Sequence, residues 1–174
     1  METGIRGKVA MVSGASKGIG RAVAERLAAE GASLSLCARG AAPLRDVARA
    51  LEDKHGVACL ACPADLNQAE DIQGWVRATL ERFGGIDILV NNAGAAQGGA
   101  FLRLPDQAWL DSWHLKLFGY IRVAREVFPH HVARGGGRIV HVIGIAGVQP
   151  MMRLHRQLPD GHASRQDAAL NHAP

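Results

Sequence analysis

The stretch Ser13-Gly14-Ala15-Ser16-Lys17-Gly18-Ile19-Gly20 has the residue types and spacing to cradle a pyrophosphate. It lies between a short apolar run and a segment of helical spacing. Gly14 lets the chain turn without a Cβ clash, Gly18 lets the backbone approach the phosphates, and Gly20 permits close packing of helix on strand. The N–H groups at the helix start then face the anion. Glycines at this spacing suit any tight turn; the strand before and the helix after make the pattern a dinucleotide site. Charge indicates which dinucleotide. A carboxylate closing the second strand would hold the 2′-hydroxyl of NAD and repel a 2′-phosphate. Here that strand closes with Cys37-Ala38-Arg39-Gly40, and Lys17 sits inside the glycine turn. Two cations facing the adenosine ribose favour NADP over NAD, because a phosphate accepts charge-assisted bonds from both. The bland reading of Arg39 is a side chain in solvent.

The elements that must position these residues follow in alternation. Apolar runs at 8–13, 33–38, 57–61, 86–90 and 138–143 read as buried strands. Between them, helices are predicted over 18–30, 43–55, 65–83 and 106–128. Their apolar stripes are Ile19, Val23, Leu27 and Ala28 in the first, then Leu44, Val47, Ala48 and Leu51. The third carries Ile72, Val76, Leu80 and Phe83. Alternation of strand and helix implies βαβ crossovers and a parallel sheet covered on both faces. The expected fold is α/β, a doubly wound parallel sheet of Rossmann type, incomplete at its C-terminal side. Residues 1–150 form one domain, and 151–174 a tail without recognisable fold.

The glycine turn, Asp65-Leu66 after the third strand and Asn91-Asn92-Ala93-Gly94 after the fourth resemble the short-chain dehydrogenase/reductase family. Residues 113–120 (WHLKLFGY) and 137–147 (GRIVHVIGIAG) extend the resemblance over about residues 5–150. It implies an NAD(P)-dependent oxidoreductase of alcohols and ketones. Carried over by position, Gly14, Ser16, Lys17, Gly18 and Ile19 hold the pyrophosphate and ribose. Asp65 accepts from the adenine amino group, with the Leu66 backbone beside it. Asn92, Ala93 and Gly94 support the nicotinamide-side ribose. The bland reading of the second motif is a polar turn ending a strand.

Catalysis is where the chain departs from this family. The family's reaction uses a tyrosine as proton donor and a lysine four residues on that lowers its pKa, one helical turn apart on one face. A serine orients the substrate carbonyl, and an asparagine completes a proton relay. Gly144 stands at the serine position and Lys116 at the asparagine position. No tyrosine or lysine occurs after Tyr120, so no catalytic residue is assigned. Lys116 and Tyr120 are four apart but in reversed order and ahead of the fifth strand, which marks Tyr120 as a packing residue. The abrupt change near Pro150 is read as a frameshift or truncation, with a divergent terminus as the alternative. Two functions stay open: an oxidoreductase, degenerate or not, and a catalytically silent nucleotide- or partner-binding module.

Composition excludes other classes. A net charge of +4 over 174 residues is mild. The one basic cluster, Arg134-Gly135-Gly136-Gly137-Arg138, lacks aromatic interleaving, so it reads as a solvated loop rather than a nucleic-acid contact. No run has membrane-spanning length and no signal peptide opens the chain; with an odd number of cysteines, a reducing cytoplasm is the expected compartment. Three cysteines do not make a disulfide framework, and Cys59 and Cys62 have no second pair to complete a zinc site. The eight histidines show no metal spacing. Trp109, Trp113, Leu117 and Phe118 put an apolar stripe on the 106–128 helix, which is expected to support self-association.

Overall fold

The computed structural model describes residues 3–94, 99–144 and 153–154. The elements run in chain order β1 (Val9–Ser13), α1 (Gly18–Ala29), β2 (Ser33–Ala38), α2 (Ala41–His55), β3 (Cys59–Pro63), α3 (Ala69–Phe83) and β4 (Ile88–Asn91). Then come β5 (Gly99–Ala100), a 3₁₀ turn at Phe101–Arg103, α4 (Asp106–Trp113), a π-helical turn (His114–Phe118), α5 (Gly119–Ala133), β6 (Arg138–His141) and β7 (Arg153–Leu154). Five strands form one sheet in the order β3-β2-β1-β4-β6, and every pairing in it is parallel. β1 therefore lies in the middle and pairs with β2 on one side and β4 on the other, the point where a doubly wound sheet reverses direction.

Each face of the sheet has its own core. On one, Leu44, Val47, Ala48 and Leu51 of α2 and Ala24 and Ala28 of α1 pack over Ala10, Val12, Leu34 and Leu36. On the other, Ile72, Trp75 and Val76 of α3 and Val123 and Val127 of α5 cover Met11, Cys37 and Leu89. The α2 stripe is buried as predicted. In α1 Ala28 is buried as predicted, with Gly20 and Ala24 beside it, and Val23 and Leu27 pack partly buried against the same core; Ile19 is exposed instead. The α3 face gains Trp75, whose buried indole N–H donates to Ser35 Oγ at 2.9 Å. Ser35 and Thr79 hydroxyls lie 2.7 Å apart, and Thr79 donates to the Trp75 carbonyl at 2.7 Å. These buried polar groups are thus paired with one another, which removes the desolvation cost of placing them between sheet and helix.

Several boundaries differ from those predicted. β3 begins at Cys59 rather than Val57, because pairing in register with β2 selects the segment (Leu34 opposite Cys59, Ala38 opposite Pro63). Pro63 is tolerated on a strand that, among the described residues, has a neighbour on one side only. Cys59 and Cys62 consequently face opposite sides of the sheet, one toward each core. α2 opens at Ala41 with Pro43 in its first turn, where no intrahelical donor is lost. α3 opens at Ala69, not Asp65. Asp65 instead folds its carboxylate back, with Oδ1 accepting from the Asn67 backbone N–H at 3.0 Å and its side-chain amide at 2.9 Å. The single helix predicted over 106–128 is interrupted by the π turn, and its second part runs on to Ala133. β7 pairs antiparallel with β5, so two residues of the expected tail join a ladder. The expectation for the other residues of 151–174 falls outside the described residues. Among the described residues, no helix is long and apolar enough to cross a membrane.

Candidate functional site

At the C-terminal ends of the strands, where β1 and β4 separate, lies a cleft of about 620 Å³. Its floor is the glycine turn. Gly14 has φ +66° and Gly18 φ +58°, a backbone region that favours glycine. A Cβ on Gly14 would come within 2.9 Å of Ala93 Cα and of Asn92 Nδ2, whereas a Cβ on Gly18 would meet nothing within 4 Å. The first glycine is thus required by the neighbouring turn and the second leaves open space facing the cleft. Gly20 does not line the cleft; a Cβ there would collide with Asn92 Nδ2 and the Gly14 carbonyl, so it serves the close packing expected of it. α1 begins after Lys17 with no side-chain cap and no acid in its first turn. Its first N–H groups and positive dipole end remain available to an anion.

Eleven of the twelve residues predicted from sequence line this one cleft: Gly14, Ser16, Lys17, Gly18, Ile19, Arg39, Asp65, Leu66, Asn92, Ala93 and Gly94. The exposure of Ile19 follows from that position. Lys17 from the glycine turn and Arg39 after β2 both reach the cleft, and among the described residues Asp65 is the one carboxylate that lines it. Asp65 Oδ1 is occupied by Asn67, and its own N–H donates to Asp71 Oδ2 at 2.8 Å, which fixes the loop that carries it.

The organiser of the site is a residue that sequence reasoning did not single out. Ser13, fully buried at the end of β1, accepts from the Asn92 N–H at 2.9 Å and the Ala93 N–H at 3.0 Å. Its hydroxyl donates to the Val90 carbonyl at 3.4 Å. Asn92 returns the contact, its side-chain amide donating to the Ser13 and Gly14 carbonyls at 3.0 and 3.3 Å. The glycine turn and the 91–94 turn are therefore one hydrogen-bonded unit. A hydroxyl closing an otherwise apolar strand directly before Gly14 was the available signal.

Asn91, buried at the end of β4, donates to the Tyr120 carbonyl at 3.2 Å and lies 3.2 Å from His141 Nδ1. Tyr120 packs as expected. Its ring stacks on His141 with centroids 5.6 Å apart, and its hydroxyl donates to the Val142 carbonyl at 3.1 Å. Burial pushes its phenol up to about 12, which suits a structural donor and not a proton-transfer group near neutral pH. Gly144 is exposed, with nothing within 4 Å of where a Cβ would stand. The three thiols are all raised above their ordinary range by burial, which makes them poor nucleophiles. Among the described residues no group of three or more His, Cys, Asp or Glu is placed to hold a metal.

The chain matches the family described as short chain dehydrogenase over residues 8–155. A Streptomyces coelicolor protein named for ketoacyl reduction is 40% identical over 144 residues, which are 82% of this chain and 55% of that protein. The 3-oxoacyl-(acyl-carrier-protein) reductase of Vibrio cholerae is 34% identical over 143 residues, 82% of this chain and 57% of its own length. Among solved structures, L-sorbose reductase from Gluconobacter frateurii, complexed with NADPH and L-sorbose, matches with a TM-score of 0.83 and 42% identity. That match covers 87% of this chain and 57% of the reductase. The chain thus spans little more than half the length of the curated relatives it matches. A cleft built from both motif turns, the parallel sheet beneath it and a family match across most of the sequence give one answer: this chain belongs to the short-chain dehydrogenase family.

Proposed function

We propose that the cleft binds NADP(H) in preference to NAD(H). The reading rests on one observation: the rim after β2 presents Arg39, with Lys17 in the same cleft, and no carboxylate closes the strand. The 2′-phosphate of the cofactor would take charge-assisted bonds from both cations. The pyrophosphate would meet the N–H groups opening α1 beside Gly18, the adenine amino group Asp65 and the Leu66 backbone, and the nicotinamide-side ribose Asn92 to Gly94. The NADPH bound in the sorbose reductase structure supports this choice. When bound, the cofactor supplies hydride to a carbonyl carbon or accepts it from an alcohol; the residues of this chain position it and exclude water from one side.

The same reading makes the chain a poor catalyst of ketone reduction. Its single tyrosine is Tyr120, held by Val142 and His141, and no lysine follows Lys116 in the sequence. Losing a general acid costs on the order of 10²–10⁴ in rate. A second role, association through the α4–α5 face, is favoured by the exposure of Trp113, Leu117, Phe118 and Phe128 there. Calorimetric titration with NADPH and NADH tests the main reading. Binding of NADPH at least about tenfold tighter is expected, abolished by Gly14→Asp and narrowed by replacing Lys17 and Arg39 with Ala. Equal affinity for the two cofactors in the unmodified protein would overturn it. NADPH oxidation over a panel of ketones is expected to fall well below about 1 per second.

A further inference from the structure

Lys17 and Arg39 account for one end of the cleft. Lys116 is the third cation lining it, and lies at the other end. Its stem runs over Gly94: a Cβ on that glycine would sit 3.2 Å from Lys116 Cδ and 3.4 Å from Nζ. Gly94 therefore leaves the space that the lysine fills. The side chain is half-buried, yet no hydrogen bond or ion pair holds its ammonium among the described residues. Among the described residues Asp65 is the one carboxylate lining the cleft, and its Oδ1 is already engaged by Asn67.

Backbone geometry brings Lys116 there. It is the middle residue of the π turn His114–Phe118, in which one extra residue per turn shifts the following side chains relative to a regular helix. Such turns are rare and occur frequently at functional sites. Gly119 closes the turn against Leu66, a Cβ there standing 3.4 Å from the Leu66 carbonyl oxygen, so the turn packs on the loop that brings Asp65 and Leu66 to the cleft. Lys116 also lines a second, largely apolar groove of about 580 Å³ with Leu117, Tyr120, Ile121 and Ile143. It stands where that groove opens beside the cofactor cleft.

The Lys116 side chain is partly buried and its ammonium has no partner among the described residues, so an anion placed there would gain a charge-assisted bond. In the proposed binding mode the cofactor's own anionic groups are met elsewhere, the 2′-phosphate by Lys17 and Arg39 and the pyrophosphate by the start of α1. We infer that Lys116 is a specificity-determining residue for the second ligand, binding the carboxylate of a small keto acid at the nicotinamide end of the cleft. The inference rests on the cofactor reading above. Its carbonyl would lie toward the cofactor, with the carboxylate on Nζ and the aliphatic part against Leu117 and Ile143. An uncharged ester of the same acid would lose the charge-assisted bond and keep the apolar contact.

The test uses the full chain saturated with NADP, with levulinate and methyl levulinate as probes and binding read by calorimetry. Levulinate should bind about tenfold tighter than its ester. Lys116→Met should erase that difference while NADP affinity stays within about threefold, and Lys116→Arg should retain most of it. Equal binding of the two probes, absence of levulinate binding at millimolar concentration, or an unchanged preference in the Met variant would each overturn the inference. A loss of NADP affinity in Lys116→Met would also overturn it, by making the lysine a cofactor contact. Failure of the unmodified protein to bind NADP would instead overturn the cofactor reading, and is seen before either probe is added.

Discussion

The hydroxyl of Ser13 joins two turns that are nearly eighty positions apart in the sequence, accepting from the N–H groups of Asn92 and Ala93. Replacing it with alanine leaves both part-buried donors without this acceptor. Ser13→Ala is therefore expected to cost about 1–3 kcal/mol in chemical denaturation, and to weaken NADPH binding as the two turns drift apart. Ser13→Thr, which keeps the oxygen but adds a methyl group in a fully buried site, should restore part of the binding and little of the stability. At this scale the sequence was explicit where a residue type is required by backbone geometry. Gly14 and Gly18 could be read because their conformations admit little else. Lys116 was legible only as the residue at the family's asparagine position, and Ser13 only as a hydroxyl closing an apolar strand; the partners across the fold give each its place in the site.

Helices and strands show what decides an element's limits. The apolar run at 57–61 marks a strand, but which residues enter the ladder is fixed by register against β2, and the strand moves two positions toward Pro63. The apolar stripe on α3 holds at Ile72, Val76 and Leu80 but not at Phe83, and the helix start depended on the Asp65 side chain closing a turn with Asn67. The π turn could not be read from a 3.6-residue period, because it interrupts that period. α5 carries a further consequence in its last turn. His131 is buried and its Nε2 has no partner; burial lowers its pKa below 6.5, opposed by Asp87 and reinforced by His130. As pH falls below 6.5 the unfolded chain takes up a proton that the native histidine resists, so stability declines with acidification through that window. Denaturation midpoints measured down the acid limb should show this slope, and His131→Phe should flatten it. An unchanged slope in that variant would assign the effect to other groups.

At the scale of the molecule, the α4–α5 face and the outer strand β6 share one property. Phe128 is 59% exposed, Val140 50% and Ile143 66%, and among the described residues β6 has a neighbour only in β4. A contiguous apolar surface beside a strand with free hydrogen-bonding groups favours association. Sedimentation velocity over a concentration series should show a shift to larger species, with hydrophobic-dye fluorescence falling as they form. A dye-negative monomer at all concentrations would remove this expectation. The central place of β1 bears on something other than the finished fold, namely its birth on the ribosome. β1 leaves first and meets β2 within a few tens of residues, but its other partner β4 is made about eighty residues later, a delay of roughly 4–16 seconds at ordinary elongation rates. For that interval Ala10, Met11 and Val12, all buried in the native sheet, lie on the open edge of a growing three-stranded fragment. Slowing translation before β4 has left the ribosome is expected to lengthen the exposure of that edge to aggregation more than slowing it afterwards.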